Sequence, residues 1–383
     1  MGKEVGKMKL IAVGDVMPGG VLNSTKDICI SEDVKETLCS ADLVIATLET
    51  AVGNEPSFYD EKMKRQGDVI YVEDDDLVRL KELNVGIVSL ANNHFFDLGI
   101  KGAKHTIDLL DQMGIKHCGA GMNLPEASKP VVVKNGGETF AFLAFCDWRE
   151  EHVGWCPFAS ENAPGVNPMN DDYALTEIRK YAQLYDNVIV ISHWGKEYSL
   201  WPKPKIVSLS KKMLDAGATL VLGGHTHCVQ PILKRKNKAV VYSMGNFLFP
   251  DRLITKPRST YYPHPSLDVS KLPKTDGYPY VEEPTLKIWK LIARYGMIAS
   301  ISLNKKQCLI DCSYTNLTRD NKVVLNVLPN NIQNELKYSH LFLTFPFYIF
   351  FYYFKILLFK VYRKTIMQII TKRKKNSLLA VRK

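Results

Sequence analysis

Short apolar segments at regular intervals are the feature that most restricts how this chain can fold. They are too short for typical helices, are rich in Val, Ile, Leu or Phe, and lie at Leu10–Val13, Leu43–Leu48, Val85–Leu90, Phe140–Cys146, Val188–Ser192, Thr219–Leu222 and Ala239–Tyr242. Continuous apolar runs of this length are typical of strands buried on both faces. Helical patterns lie between several of them, at Asp74–Leu83, Lys104–Met113, Asp172–Tyr185 and Ile206–Ala216. Strands that alternate with helices predict a layered α/β fold.

Polar residues follow six of these segments, at the point where each predicted strand ends. In chain order they are Asp15, then Glu49, then Asn92, Asn93, His94 and Asp97, then His193 and Glu197, then His225 and His227, then Ser243 and Asn246. Ligands of α/β sheets bind beyond the carboxyl ends of the strands. We therefore expect these side chains to converge on one crevice.

The residue types in this crevice indicate a metal site. Carboxylate, imidazole and amide oxygen are the ligands that hard and borderline divalent cations prefer. Two histidines two residues apart, such as His225 and His227, can reach two neighbouring cations, and a carboxylate between the cations can bridge them. A dinuclear centre of this kind stabilises the attacking and leaving oxygens of a phosphoryl displacement and lowers the pKa of bound water.

Each motif taken singly has an ordinary structural explanation. Asp15 alone would be read as a turn residue, Glu49 as a helix cap and Asn92-Asn93 as a turn. The combination, in a consistent order at successive strand ends, favours the metal site. The remaining histidines are interpreted as surface or loop residues: His105, His117, His152, His264 and His340.

The motifs in combination resemble the bacterial capsule-synthesis CapA family, named for poly-gamma-glutamate capsule biosynthesis and similar to the calcineurin-like metallophosphoesterase superfamily. The resemblance covers about Lys9 to Phe249, with Gly296–Leu303 as a last strand, and rests on Gly14–Met17, Leu48-Glu49, Ala91–His94, His193–Gly195, Gly224–His227 and Tyr242–Phe247. It implies a metallophosphoesterase-like sandwich of two mixed β-sheets flanked by helices.

The resemblance also implies roles for individual residues. The implied ligands of one or two divalent ions (Mn, Fe or Zn) are Asp15, Glu49, Asn93, His193, His225 and His227. His94 matches the histidine that protonates the leaving group. The implied substrate contacts or supports of the ligands are Asn92, Asp97, Glu197, Ser243 and Asn246. Two positions depart from the superfamily: Met17 replaces a usual histidine ligand, and Glu49 replaces the bridging aspartate.

The charge distribution separates the C-terminal end from the rest of the chain. The formal net charge is +10, and the residues from Lys360 onward contain nine Lys or Arg and no Asp or Glu. The preceding residues are close to neutral, which argues against a nucleic-acid-binding surface. The eight cysteines contain no C-x-x-C pair, which indicates reduced thiols in a cytosol. The N-terminus shows no signal-peptide pattern.

The sequence predicts three regions. A CapA-like domain covers 9–303 with an irregular insertion at about 250–285, an unassigned connecting segment covers 304–340, and an apolar and basic tail covers 341–383. The mostly apolar segment Leu341–Phe359 contains one charged residue, Lys355, and basic residues follow it. This pattern predicts peripheral association with the anionic inner face of the cytoplasmic membrane. A buried C-terminal helix and a single membrane span are the alternatives.

Three functions compete at this stage. The leading one is hydrolysis of a phosphoester in capsule or exopolymer biosynthesis through a metal-activated water. The second is a non-catalytic, metal-binding scaffold subunit of an envelope polymer synthesis and export complex. The third is amide chemistry on a glutamate polymer. His94 discriminates the first from the second, because leaving-group protonation needs an imidazole beside the metal and a scaffold does not.

Overall fold

The computed structural model describes residues 7–24, 29–53, 69–147, 156–255, 259–261, 268–277 and 283–358. The strands are Met8–Val16 (β1), Leu43–Leu48 (β2), Ala51–Val52 (β3), Tyr71–Val72 (β4), Val85–Ser89 (β5), Lys116–Cys118 (β6), Ala120–Gly121 (β7), Val131–Asn135 (β8), Glu138–Cys146 (β9), Gly165–Val166 (β10), Asn187–His193 (β11), Leu220–Gly224 (β12), Ile232–Arg235 (β13), Lys238–Val241 (β14), Arg252–Thr255 (β15), Ser259–Tyr261 (β16), Lys274–Thr275 (β17), Thr285–Lys287 (β18), Tyr295–Asn304 (β19), Gln307–Leu317 (β20) and Val323–Asn326 (β21).

The α-helices are Glu32–Cys39 (α1), Val78–Glu82 (α2), Gly99–Gln112 (α3), Leu124–Ala127 (α4), Asp171–Leu184 (α5), Pro204–Ala216 (α6) and Asn330–Leu343 (α7). A further helix covers residues 348–358. Short 3₁₀ turns lie at Gly20–Ser24, Asp74–Leu77, Val269–Lys271 and Leu291–Arg294. Each predicted apolar segment lies within a strand or extends no more than one residue beyond it. The predicted helical patterns Lys104–Met113, Asp172–Tyr185 and Ile206–Ala216 lie in α3, α5 and α6 to within one residue, whereas Asp74–Leu83 is a 3₁₀ turn followed by the short α2.

Two mixed sheets form the body of the protein, as the sequence predicts. The first has the strand order β21-β20-β19-β1-β2-β5-β6, and the second has the order β13-β14-β12-β11-β9-β8. In the first sheet β1, β2, β5 and β6 are parallel, while β19, β20 and β21 pair antiparallel. In the second, β9, β11, β12 and β14 are parallel, with antiparallel β8 and β13 at the edges. The fold class is therefore the predicted sandwich of two mixed sheets.

The second sheet is buried on both faces, which explains its continuous apolar runs. Successive side chains of a strand point to opposite faces. In β11, Ile189 and Ile191 belong to the core between the two sheets, whereas Val188 and Val190 pack in a second core with helices α5 and α6. Both faces of the strand therefore need apolar residues, and no polar alternation appears in its sequence.

The two sheets are joined beside the ends of β1 and β14. The Asp15 backbone N–H donates to the Gly245 carbonyl at 2.9 Å, and the Phe247 N–H donates to the Asp15 carbonyl at 2.9 Å. The backbones approach so closely at Gly14 that a Cβ atom there would lie 1.8 Å from the Gly245 oxygen. Glycine is thus required at position 14, and this junction fixes Asp15 between the sheets.

The stretch predicted as an irregular insertion contains paired strands. A small four-stranded sheet has the order β16-β15-β18-β17. Its strands are two to four residues long, which is too short to give a recognisable periodic pattern. The connecting segment predicted for 304–340 also has regular structure, because β20 and β21 extend the first sheet and α7 follows them.

The apolar run at the C-terminus is divided in the structure. Helix α7 ends at Leu343, a turn containing Pro346 follows, and the helix at 348–358 begins after it. No helix in the described part of the chain is both long and apolar enough to cross a membrane.

The last described helix lies against the domain by one face only. Tyr348 and Tyr352 are buried in the core that holds α5 and α6, and the Tyr348 hydroxyl donates to the Pro202 carbonyl at 2.7 Å. Lys355 pairs with Glu335 of α7. The outer face exposes large apolar side chains: Phe347, Ile349, Phe350, Tyr353, Phe354, Leu357 and Leu358.

Candidate metal centre

Five of the predicted metal ligands meet between the two sheets. The first sheet contributes Asp15 from β1 and Glu49 directly after β2, and the second contributes His193 from the end of β11 and two histidines after β12, His225 and His227. All five side chains are buried, with 0–4 % of each residue exposed. They form two groups that could each hold a metal ion, Glu49 with His193 and His225, and Asp15 with Glu49 and His227, with the ligand atoms of each group within 4.8 Å of one another.

The two groups share Glu49. Its Oε1 atom lies 3.6 Å from Nε2 of His193 and 3.8 Å from Nε2 of His227. A carboxylate placed between two imidazoles of different groups would be within reach of an ion held by either group.

Asn93 completes the first group. Its Oδ1 atom lies 2.8 Å from Nε2 of His193, and Nδ1 of His225 lies 3.2 Å from that same nitrogen. One amide oxygen and two imidazole nitrogens therefore point toward one place, together with Glu49. This donor set suits a borderline divalent cation such as Mn, Fe or Zn.

A hydrogen bond fixes the ring of His227 in the second group. The Asn246 Nδ2 amide donates to the Ala293 carbonyl at 3.1 Å, so its Oδ1 atom is free to accept from Nδ1 of His227 at 2.8 Å. The proton then resides on Nδ1, and Nε2 is left with a lone pair directed toward Glu49. The sequence predicts Asn246 as a substrate contact or a support of the ligands, and in the structure it orients the ring of His227.

The loop that carries the two histidines has an uncommon backbone. The φ angles of His225 and His227 are 80° and 52°, in the left-handed region that non-glycine residues seldom occupy. The Asp15 carboxylate accepts from the His225 backbone N–H at 2.9 Å, and the Ser243 hydroxyl accepts from Thr226 at 2.9 Å. Strained backbone held by such contacts is frequent at functional sites, where it positions side chains.

The electrostatics of the centre suit a bound cation. Burial raises the pKa of both the Asp15 and the Glu49 carboxyl groups, and the charge of Asp15 raises that of Glu49 further. Neither oxygen of Glu49 accepts a hydrogen bond from the described residues. Burial also lowers the pKa of His227 to about 3, so its ring is neutral, as a metal ligand must be. Two buried carboxyl groups beside the neutral ring of His227 therefore fit one or two divalent ions.

His94 lies at the rim of the centre, next to Asn93. Its Nδ1 atom is 2.7 Å from Oδ2 of Asp97, which also accepts from the Ile70 backbone N–H at 2.7 Å. The side chain is 13 % exposed, in contrast to the enclosed ligands. A carboxylate bound to Nδ1 leaves Nε2 of His94 available for proton transfer.

Asn92 holds the loop that carries these residues. Its Nδ2 amide donates to the Leu48 carbonyl at 2.8 Å, and its Oδ1 atom accepts from the His94 backbone N–H at 3.0 Å. Asn92 thereby links the loop after β5 to the end of β2, one residue before Glu49. Glu197 is partly exposed, and its charge contributes to the raised pKa of Glu49.

One side of the centre was not predicted from the sequence. Trp289, after β18, lies 4.8 Å from His227 between ring centroids, and Phe249 lies 5.7 Å from it. Arg252, from β15, is 5.6 Å from the Trp289 ring and is 1 % exposed. In the sequence, this side of the centre corresponds only to scattered aromatic and basic residues after Asn246. Their spacing shows no pattern from which a site could be predicted.

The sandwich and its paired clusters of ligand-type residues are metallophosphoesterase-like. The chain belongs to the family described as bacterial capsule synthesis protein PGA_cap, whose family model matches residues 9–251. The resemblance identified from the strand-end motifs is thereby confirmed.

Two curated relatives carry names from capsule synthesis. The chain is 30 % identical over 244 residues to the PGA biosynthesis protein CapA of Bacillus subtilis (strain 168), covering 62 % of each protein. It is 31 % identical over 258 residues to the capsule biosynthesis protein CapA of Bacillus anthracis, covering 64 % of this chain and 61 % of that protein. The matched part is thus less than two thirds of either relative.

A solved structure of a hypothetical protein from Thermus thermophilus aligns with 80 % of this chain and 98 % of its own. The TM-score is 0.44 and the sequence identity is 16 %. This likeness carries no information about function.

Proposed function

We propose that this protein is a metal-dependent phosphoesterase of capsule or exopolymer biosynthesis. The observation that carries the proposal is the combination of a shared carboxylate, Glu49, between two ligand groups and a histidine–aspartate pair at the rim. The ligand groups alone would suit any metal-binding role. The addition of His94, oriented by Asp97, supports hydrolysis, because leaving-group departure needs a proton donor.

In this proposal each residue has a defined role. Asp15 with His227, and Asn93 with His193 and His225, would hold the divalent ions, and Glu49 would contact both. When bound, the ions would supply Lewis acidity toward the phosphoester and lower the pKa of water. His94 would hold the proton on Nε2 and deliver it to the leaving oxygen, while Asp97 stabilises the imidazolium through Nδ1. Asn92 would keep His94 in position relative to Glu49.

The experiment is hydrolysis by the full-length protein loaded with Mn²⁺, Fe²⁺ or Zn²⁺, tested against phosphomonoesters and phosphodiesters. Activity that needs an added ion and is lost in Glu49→Gln would support the proposal. The exposed Asp268→Asn variant, outside the centre, is the control for loss of a carboxylate. A protein that binds ions and hydrolyses none of these substrates would contradict it.

A second candidate is a metal-binding scaffold subunit of a polymer synthesis complex without turnover. The observation that favours it is Met17, which is fully buried where the superfamily usually has a histidine ligand. A thioether is a poor ligand for hard cations, so the Asp15 group has fewer suitable donors. Stoichiometric metal binding without hydrolysis is the result expected for a scaffold.

We also propose that the protein lies on an anionic membrane surface through its C-terminal helix and the basic residues that follow. Monomeric soluble proteins seldom expose large contiguous apolar patches, and the outer face of the helix at 348–358 exposes Phe350 at 61 % and Phe354 at 48 %. The chain beyond this helix has nine basic and no acidic residues. Aromatic residues beside basic ones suit the lipid headgroup region, with about 1 kcal/mol for each Lys or Arg near the surface.

A further inference from the structure

A groove runs along one side of helix α7. Five side chains at helical spacing form its wall along this helix, and they are Gln333, Leu336, Lys337, His340 and Thr344. Strand β13 of the second sheet and the chain between β21 and α7 form the other side. The groove has a volume of about 780 Å³, which lies within the usual range of ligand-binding sites.

The floor of the groove is apolar. Leu233, Met297, Leu328 and Leu336 are buried there, and Tyr314 of β20 is half-buried. A hydrocarbon chain laid on this floor is removed from water, whereas a polar chain in the same place loses hydrogen bonds to water. The floor therefore favours a hydrocarbon chain over a wholly polar ligand.

Two lysines give the rim of the groove a positive charge. Lys234 of β13 and Lys337 of α7 are both exposed. The Lys234 ammonium donates to the Ile310 carbonyl at 3.1 Å, while Lys337 forms no hydrogen bond or ion pair with any residue that the structure describes. Within the described ranges, no Asp or Glu lines the groove. An anionic group at the rim would therefore meet two cations and no competing carboxylate.

The groove ends next to the surface proposed above for membrane contact. Thr344 caps α7, and Phe345 and Phe347 of the following turn are exposed. The exposed outer face of the helix at 348–358 comes directly after them. From Gln333 to Thr344 the helix measures roughly 16 Å, which is close to the hydrocarbon depth of one bilayer leaflet, about 15 Å. The groove is thus long enough for one lipid chain that starts at the membrane.

We propose that this groove binds a membrane lipid with a phosphate headgroup. One hydrocarbon chain lies on the apolar floor and leads along α7 to Thr344 at the membrane, and the phosphate lies at Lys337 and Lys234. The inference rests on the proposed membrane contact as the source of the lipid, and it does not depend on phosphoester hydrolysis. Lysine suits this role because its ammonium is a flexible point charge, which needs no fixed orientation of the phosphate oxygens.

The test is calorimetry of the full-length protein with decylphosphonate, a ten-carbon chain whose phosphonate headgroup contains no ester bond to hydrolyse. The titrations contain no vesicles and stay below the concentration at which micelles form. Methylphosphonate, the headgroup without the chain, should bind about 100-fold more weakly or worse, whereas the metal centre would bind the two headgroups alike. Each methylene added from hexyl- to decylphosphonate should strengthen binding by up to about 4-fold.

Two exposed positions on the rim test where the ligand binds. Lys337→Glu should weaken decylphosphonate binding about 5–20-fold, because it places a like charge beside the headgroup. Val327→Ser should weaken it about 3–10-fold through lost apolar contact. The matched control is Lys212→Glu, the same charge change on the exposed side of α6, which should bind like the wild type.

Two results would overturn the inference: wild-type affinity in both rim variants, or methylphosphonate binding as tight as that of decylphosphonate. Tighter binding of decanoate than of decylphosphonate would overturn the assignment of a phosphate headgroup.

The double variant Phe350→Ser and Phe354→Ser separates the groove from the membrane contact. It should bind decylphosphonate like the wild type, since neither residue lines the groove. Loss of decylphosphonate binding in this variant would place the chain on the outer face of the helix and overturn the inference. A wild type that binds decylphosphonate but no anionic vesicles, with weaker binding in Lys337→Glu, would support the groove and contradict the membrane contact.

Discussion

The metal centre and the C-terminal helix are unusual in opposite ways: the first buries charged side chains and the second exposes large apolar ones. At the centre, Asp15 and Glu49 are fully enclosed, while on the helix Phe350 and Tyr353 are 61 % and 59 % exposed. A buried charge costs free energy relative to a solvated one, and an exposed apolar surface costs free energy relative to a buried one. In our proposals each region therefore takes a partner from outside the chain, a cation for the first and a lipid surface for the second.

The largest expected effect tests the cation at the centre. Glu49→Gln removes the carboxylate that the two ligand groups share, so the metal content of the purified protein should fall from one or two ions per chain to near zero. Elemental analysis of protein purified without chelator measures this. The same variant should raise the melting temperature of chelator-treated protein, because it removes a carboxyl group that the metal-free folded state must either protonate or bury as an unpaired charge. Unchanged metal content would show that Glu49 is not a ligand.

The next effect separates catalysis from metal binding. His94→Ala should lower kcat about 10²–10⁴-fold for substrates with poor leaving groups, the usual range for one general acid. The loss should be smaller for activated esters, whose leaving groups need no proton, and the metal content should stay at the wild-type level. The control variant His105→Ala changes a histidine that pairs with Asp74 away from the centre. Equal losses for good and poor leaving groups would assign His94 a structural role.

The loss of stability with rising pH that the two buried carboxyl groups cause should disappear when metal is added. In the metal-free protein, burial raises the folded-state pKa of Asp15 and Glu49 above the unfolded values near 4. The folded state then binds more protons than the unfolded state. The contribution of these two groups to the free energy of unfolding is therefore greatest below about pH 4, and it falls as the pH rises through their folded pKa values. Bound metal should remove this loss, because it favours the ionised carboxylates. Denaturant midpoints between pH 5 and pH 8, with and without Mn²⁺, check the sign.

Two substitutions on the outer face of the last helix test the membrane surface. The double variant Phe350→Ser and Phe354→Ser should bind vesicles containing anionic lipid about 100-fold more weakly or worse, given about 1.5–3 kcal/mol for each buried Phe. Leu184→Ser, at a side chain 63 % exposed on α5, is the matched control. Vesicle sedimentation measures the binding, and high salt distinguishes basic-residue attraction from insertion. Equal sedimentation of the double variant and the wild type would contradict the proposal.

The smallest effect concerns the inner face of the same helix. Tyr348→Phe removes the hydroxyl that donates to the Pro202 carbonyl. The free energy of unfolding should fall by about 1 kcal/mol, the usual net contribution of one hydrogen bond, with more for the buried carbonyl left unpaired. Vesicle binding should not change, because the outer face is intact. A variant with normal stability and weak vesicle binding would show that the two faces are not independent.

Some parts of the fold could be predicted because their signal is local. The strands of the second sheet are apolar on both faces, so Val188–Ser192 is recognisable without knowledge of its neighbours. The ligand-type residues follow such strands directly, and parallel strands bring their carboxyl ends to one edge. The small sheet could not be predicted in this way, because strands of two to four residues have no measurable period and are formed by pairing with distant segments.

The sequence by itself determined the family, the two-sheet architecture and the residues gathered at the centre. Only the tertiary structure decided which of these residues act on one another: that Glu49 is shared, that Asn246 orients His227, and that Asp97 orients His94. It also placed Trp289 against His227, which lies 62 positions earlier in the chain, and gave the last helix one packed and one exposed face. The physical reason is that burial patterns and strand ends are properties of neighbouring residues. Hydrogen bonds and charge pairs across the core depend on packing between segments that are distant in the sequence.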